Sequence, residues 1–350
     1  MEPRFSRRGF MNTAVGLGVA AQRSMGQQQT ANDRRPVVAV VKGEERRKIV
    51  HDALLAIDDQ IKPVLQQKKY VVLKPNNVST VNQLAATHLD ALRGILDYLA
   101  PRFKGPVVIA ESSAGNTMEG FENFRYGQLA REFRSQHVTL TDLNEEAKYE
   151  LVQVLDENLH IIPVRLAARL LDPDAFVLCP AILKTHNTVV ATLSVKNMVL
   201  GAPLHQAPKE TKRWNDKRKF HTGLRQTHYN MMVTAQKMAP FWGATVIDGY
   251  EGMEGNGPAS GTPVPSRVAI ASTDFIAADR VGVEAMGIDA SWLAYLQYCS
   301  AAGIGQYDLA KIALRGEPLA GVRRSYRMHG DIERELRWRG PMTDIPEKIG

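Results

Sequence analysis

Seven short apolar runs, rich in β-branched residues and closed by Pro, Gly or charge, alternate with amphipathic stretches along this chain, and no other feature narrows its fold as much. The runs are Val37–Val41, Tyr70–Leu73, Val107–Ala110, Val138–Thr141, Phe176–Cys179, Ala244–Ile247 and Val268–Ala271. Their length and apolarity are those of parallel strands buried on both faces. Helical periodicity lies between them at Glu45–Ile61, His88–Leu99, Phe124–Arg134, Val189–Leu200 and Phe275–Met286. Such alternation predicts an α/β fold: a mostly parallel, Rossmann-like layered sheet with helices on both faces. One interruption is expected, a hairpin over Leu151–Val164 that turns at Glu157-Asn158.

In open α/β sheets, ligands bind outside the carboxyl ends of the strands. At six of the seven strand ends a charge stands out as a site candidate. Lys74, Glu111, Asp142 and Asp248 follow or close their strands, and Asp274 comes just after Val268–Ala271. Lys184 and His186 follow Phe176–Cys179 across a Pro-containing link. Any strand turns polar where it meets water, so scattered surface charge is the alternative to a shared polar cleft. Two more charges sit in apolar surroundings. Lys196 is the only fully charged residue between Asn187 and Ala207 and shares a helical face with Leu193 and Leu200. It either snorkels to water or meets an anion that offsets its desolvation. Asp279 is spaced with Phe275, Val283 and Met286 on the core side of its helix, either as a backbone-satisfied carboxylate or as a functional one.

The segment Asp248 to Gly261 (DGYEGMEGNGPASG) is the most unusual in the chain. Its glycines let backbone N–H groups approach a ligand, with Glu254 and Asn256 as polar contacts. It is not a P-loop, since no Gly-Lys-Ser/Thr ends it, and Gly255, Gly257 and Gly261 are spaced one residue too far for a dinucleotide fingerprint. No standard catalytic triad motif or HExxH helix is present. Candidate proton carriers are His186, His205 and His228. Carboxylates outnumber them, so a metal would be a hard divalent ion rather than zinc, with Asp142, Asp248, Glu254, Asp274 and Asp279 as candidate ligands. Two cysteines, Cys179 and Cys299, cannot supply an iron–sulfur cluster or a Cys₄ zinc site within one chain. The charge-dense insertion Lys209–Lys219 (KETKRWNDKRK) is either a solvated loop or a basic lid over an anionic ligand. A formal net charge of +7 suits an acidic small molecule and is too diffuse for nucleic-acid binding.

The N-terminus reads Ser6-Arg7-Arg8-Gly9-Phe10-Met11, then an uncharged stretch and small residues at Val19-Ala20-Ala21. Paired arginines before a short apolar segment and a cleavable site form an export signal of the twin-arginine kind, read by its translocase as an address. The expected organisation is a signal peptide over 1–21, a flexible leader over 22–35, an α/β domain over 36–316 and a charged tail over 317–350. The apolar stretch is too short to span a membrane, and no stable span is expected elsewhere. The destination is periplasmic or extracellular. This route carries folded proteins, often with an inserted cofactor, and so raises the expectation of a bound cofactor or metal.

Leu73-Lys74-Pro75-Asn76, Cys179-Pro180 leading to Lys184-Thr185-His186, Leu193-Ser194-Val195-Lys196-Asn197-Met198 and Glu254-Gly255-Asn256-Gly257-Pro258, taken in order, resemble the domain of unknown function 362 family. The likeness runs over about Val37 to Gly287. It implies the same α/β fold and supports the choice of site residues, adding Asn76, Asn197, Gly255, Asn256 and Gly257 as cofactor-binding candidates. It supplies no reaction. Many members carry a ferredoxin-like segment rich in cysteine, which this chain lacks, so an electron-transfer role is not expected. The resulting expectation is an enzyme acting on a small carboxylate or phosphate, redox or isomerase-type ahead of hydrolysis. Lys74, Lys184 and Lys196 would hold or polarise the anion, His186 would transfer protons, and Glu111 with the other carboxylates would bind metal or act as acid and base. The alternative is an exported anion carrier using the same lysines without turnover.

Overall fold

The computed structural model describes residues 35–341. The expected signal peptide, most of the leader and the last residues lie outside the described residues. The first half of the fold runs β1 (Val37–Lys42), α1 (Arg46–Leu55), α2 (Asp58–Leu65), β2 (Tyr70–Leu73), α3 (Leu89–Leu99), β3 (Val107–Glu111), α4 (Thr117–Asn123), α5 (Gly127–Glu132), β4 (Thr139–Asp142) and α6 (Leu143–Glu146). A hairpin of β5 (Tyr149–Leu155) and β6 (Ile161–Ala167) leads to β7 (Ala175–His186), β8 (Val190–Thr192), α7 (Ser194–Gly201) and α8 (Leu224–Met238). The remainder is β9 (Trp242–Glu254), β10 (Thr262–Val264), β11 (Val268–Ser272), α9 (Phe275–Ala285), α10 (Ala294–Ala301), β12 (Ala313–Gly316), α11 (Leu319–Val322) and α12 (Ile332–Glu335).

Ten strands form one sheet in the order β12-β1-β11-β9-β7-β2-β3-β4, with β10 paired to β9 and β8 to β7. The pairs β9–β7, β7–β2, β2–β3, β3–β4 and β1–β12 are parallel, while β11 runs antiparallel to both of its neighbours. The α/β expectation therefore holds, with one reversed strand in the path. Alternate side chains serve two cores. Val71, Leu73, Val107 and Ile109 pack with α1 and α3 on one face, and Val72, Val108, Val177 and Cys179 face the side that holds α7, α8 and α9. Cys179 and Cys299 are both free and buried.

The expected hairpin is present as a separate two-stranded sheet. The single helix expected over Glu45–Ile61 is two, α1 and α2, parted at Ala56-Ile57. Val189–Leu200 likewise splits into β8 and the helix α7.

Two strands run further than their apolar cores suggest. β7 continues through Pro180 to His186, because its pairing with β2 ends at Leu73↔Leu178 and no acceptor waits for the N–H that proline lacks. β9 likewise continues to Glu254. Both overhang the carboxyl edge, where β8 and β10 fold back on them. The chain after Gly316 also returns to the core: Tyr326 and Glu335 are buried, and the Trp338 indole N–H donates to the Trp292 carbonyl at 3.1 Å.

Candidate functional site

Adjacent strands β7, β2 and β3 point their carboxyl ends at one place, and the residues there form a buried polar chain. Lys74 Nζ donates to Glu111 Oε2 (2.9 Å), Asn197 Oδ1 (2.8 Å) and the Pro75 carbonyl (2.9 Å). Asn76 Nδ2 donates to the same Asn197 oxygen at 3.0 Å, and Asn76 Oδ1 accepts from Lys184 Nζ at 2.5 Å. Lys184 also donates to the Ala85 carbonyl at 2.9 Å. Glu111 is held further by the backbone N–H groups of Asn77 and Ser112. Five predicted residues (Lys74, Asn76, Glu111, Lys184, Asn197) thus meet in one network, in which Lys74 and Lys184 are 0 % exposed and Glu111 2 %.

Lys196 and Asn197 arrive on α7, whose N-terminus is tied down by a residue distant in sequence. Asp279 on α9 accepts from the Ser194 N–H (2.8 Å), the Val195 N–H (2.9 Å) and the Ser194 hydroxyl. A carboxylate there satisfies donors that have no intrahelical partner. Of the two readings of Asp279, this is the backbone-satisfied one. At the other end of α7, Gly201 lies against Lys74, and an added Cβ would overlap Lys74 Nζ and Cε. Gly201→Ala, although favourable for helix propensity, should lower the melting temperature by dislodging Lys74. An unchanged melting curve would show that Lys74 moves freely.

A cavity of about 270 Å³ opens beside the network, lined by Asn77, Glu111, Ser112, Lys196, Lys217 and His221 among others. Lys196 is buried, and among the described residues its Nζ has no hydrogen-bond or ion-pair partner. Burial, with the neighbouring Lys74 ammonium, pushes the Lys196 amine down to about 8 against the pull of Glu111. Lys217 donates to the carbonyls of Gly201 (2.9 Å) and Leu200 (3.5 Å), and burial takes it down to about 7. Burial also drives Lys184 and His186 well below their ordinary values. His186 Nδ1 accepts from the Thr188 N–H at 3.0 Å, so the neutral ring carries its proton on Nε2. The positive groups that further disfavour its charged form are Lys196, His221, Lys184 and His329.

Lys217, Arg218 and His221 were not singled out by sequence reasoning; the only signal was the density of charge in the 209–219 insertion. Lys209–Arg213 is solvent-exposed, while Asp216 is buried, pairs with Arg165 at 2.9 Å and fixes the following turn over the cavity.

The remaining candidates lie outside the network, Asp142 closest to it, in register with Glu111 on the neighbouring strand β4. Asp142 accepts from the Asn144 N–H at 2.9 Å, and Asp248 pairs with Arg46 at 3.1 Å. Glu254 accepts from the Arg327 N–H at 2.9 Å. Asp274 accepts from the Ile276, Ala277 and Gln306 N–H groups. It belongs to the opposite edge of the sheet, because β11 runs antiparallel to β9. The structure does not bring these carboxylates together, and no group of three or more His, Cys, Asp or Glu side chains surrounds a common metal position among the described residues. Gly255 is bonded to Arg327 and Thr185, while Asn256 and Gly257 line a separate open pocket with Asn187 and His329. His205 Nε2 lies 2.7 Å from the Ser113 carbonyl, and His228 is buried against Tyr295 and Trp338.

A family model described as a domain of unknown function, DUF362, matches residues 71–284. The chain belongs to the DUF362 family. That span holds every residue of the network and the cavity lining named above. A comparison of this DUF362 chain with functionally curated proteins finds no match. Among solved structures, a structural-genomics crystal structure of a Thermotoga maritima protein aligns with a TM-score of 0.41 at 12% identity, over 75% of this chain and 60% of that one. The chain thus spans less than two thirds of that protein's length. No helix among the described residues is long and apolar enough to cross a membrane.

Proposed function

We infer that this DUF362 chain is an exported enzyme acting on a small anion, a carboxylate or phosphate, held in the cavity between α7 and the Asp216–Phe220 turn. The observation that carries the reading is Lys196: a largely buried side chain whose amine has no protein partner and opens onto a cavity whose one carboxylate, Glu111, is already committed to Lys74. A buried cation without a counter-charge is costly, and an incoming anion removes that cost. Lys217 and Arg218 add positive charge on the same wall. Glu111, which lines the cavity and pairs with Lys74 behind it, and His221 are the acid–base groups on its wall.

Inorganic phosphate titrated into the protein by calorimetry tests this reading. Lys196→Met should weaken binding by about 10- to 100-fold, the worth of one charge-assisted hydrogen bond. It should leave the melting temperature unchanged or raised, since an unpaired buried charge has been removed. Equal affinity in the variant would sink the proposal. With sulfate, whose charge is constant, affinity should fall as pH rises through about 7 and then 8, where Lys217 and Lys196 lose their protons. The sign follows from the ligand binding the protonated amines, and a pH-independent affinity would contradict it.

Export is proposed from Arg7-Arg8 and the small residues before Gln22. Cell fractionation should find the wild type outside the cytoplasm and Arg7→Lys/Arg8→Lys retained within it. Equal distribution of the two would rule this route out.

A further inference from the structure

Four lysines converge on the carboxyl edge, and counting their hydrogen bonds separates one from the rest. An ammonium has three donors and no acceptor. Lys74 uses all three, on Glu111, Asn197 and the Pro75 carbonyl. Lys184 uses two, on Asn76 and the Ala85 carbonyl. Lys217 directs two at the last carbonyls of α7. These three are held in place as donors to named protein oxygens. Lys196 Nζ makes no such bond among the described residues and faces the cavity. It is the one amine of the four that no hydrogen bond to the protein holds in place, so it is free to turn toward a ligand in the cavity.

We propose that Lys196 is a nucleophile that condenses with the carbonyl carbon of a small 2-oxo acid in this cavity to give an imine, while Lys217 and Arg218 hold the carboxylate. The inference rests on the anion reading of the site and names its substrate class. The step balances without a co-reactant. The Lys196 ammonium gives up a proton, its nitrogen adds to the carbonyl carbon, and the C–O bond of the carbinolamine breaks to release water. The proton returns to leave an iminium on Nζ. The site suits each stage. The Lys74 ammonium next to Lys196 disfavours a second positive charge, the device by which neighbouring cations activate a lysine. With its amine near 8, Lys196 holds on the order of 100-fold more neutral amine at pH 7 than an ordinary lysine. The chain supporting it is fixed by Asp279 at one end of α7 and by Lys217 at the other. A cavity of about 270 Å³ admits an acid of a few carbons and leaves room for the departing water.

The test is reductive trapping on the full chain. Protein is incubated with pyruvate, and separately with 2-oxoglutarate, then treated with sodium borohydride and analysed by intact mass and peptide mapping. One reduced adduct per chain, mapped to Lys196, is expected with at least one acid. Lys196→Arg keeps the charge but cannot form the imine, so its adduct yield should fall at least about tenfold. An adduct at Lys217 or spread over surface lysines would overturn the assignment. No adduct in a protein that binds phosphate through Lys196 would overturn the imine and leave the anion site standing. Neither adduct nor phosphate binding would overturn both.

Discussion

Glu111→Ala is expected to destabilise the protein by about 3–5 kcal/mol, the cost of leaving a buried charge without its partner. Lys74 is 0 % exposed, and Glu111 is its only counter-charge at ion-pair distance among the described residues. Removing the carboxylate also strands the Asn77 and Ser112 N–H groups that it accepts. Urea denaturation followed by far-UV circular dichroism gives the midpoint and slope from which the loss is read. The companion variant Lys74→Met/Glu111→Leu removes both charges at similar volume and should recover much of that loss. If Glu111→Ala cost under about 1 kcal/mol, as an exposed pair does, the buried network described above would be wrong.

Asp279→Ala should be comparably severe and should reach the cavity without touching it. Three donors at the start of α7 lose their acceptor, each worth about 1–3 kcal/mol when left unsatisfied in a buried place. Asp279→Asn does not rescue them, since its amide group must turn an N–H against the donor of either Ser194 or Val195. Because α7 carries Lys196 and Asn197, phosphate affinity should fall together with stability. A pH signature identifies the carboxylate. Burial raises Asp279 to about 7, from about 3.9 in an unfolded chain. A raised folded value means stability that is complete below about pH 4 and is lost as pH climbs through 7. The wild type should show that decline and Asp279→Ala should lack it. Parallel stability–pH curves for the two would place the titration elsewhere.

Much of this was legible in the residues. Tyr70–Leu73 was readable to the residue, because a four-residue apolar run with charge at each border has one interpretation. Lys74, Glu111 and Lys184 declared themselves by position, as charges placed where strands end. Other features carried misleading signals. Pro180 marks a break in most strands, yet β7 passes through it where its neighbour has already stopped. The helix α8 was missed because Thr227, His228, Asn230 and Thr234 are buried polar residues on its inner face, which blurs the apolar period. The direction of β11 leaves no trace in periodicity, so Asp274 was assigned to the wrong edge. Lys217 was hidden in a run of like residues, where nothing local distinguishes a cavity wall from a solvated surface.

The reversed strand β11 also orders events in time. β1 has two partners, β11 and β12, and both are made only after most of the chain has been synthesised. Until then β1 has no strand edge to join. Contacts of such long sequence separation are slow to close. Docking of β1 thus reports a nearly finished polypeptide: the strand that is made first is among the last to find its place in the sheet.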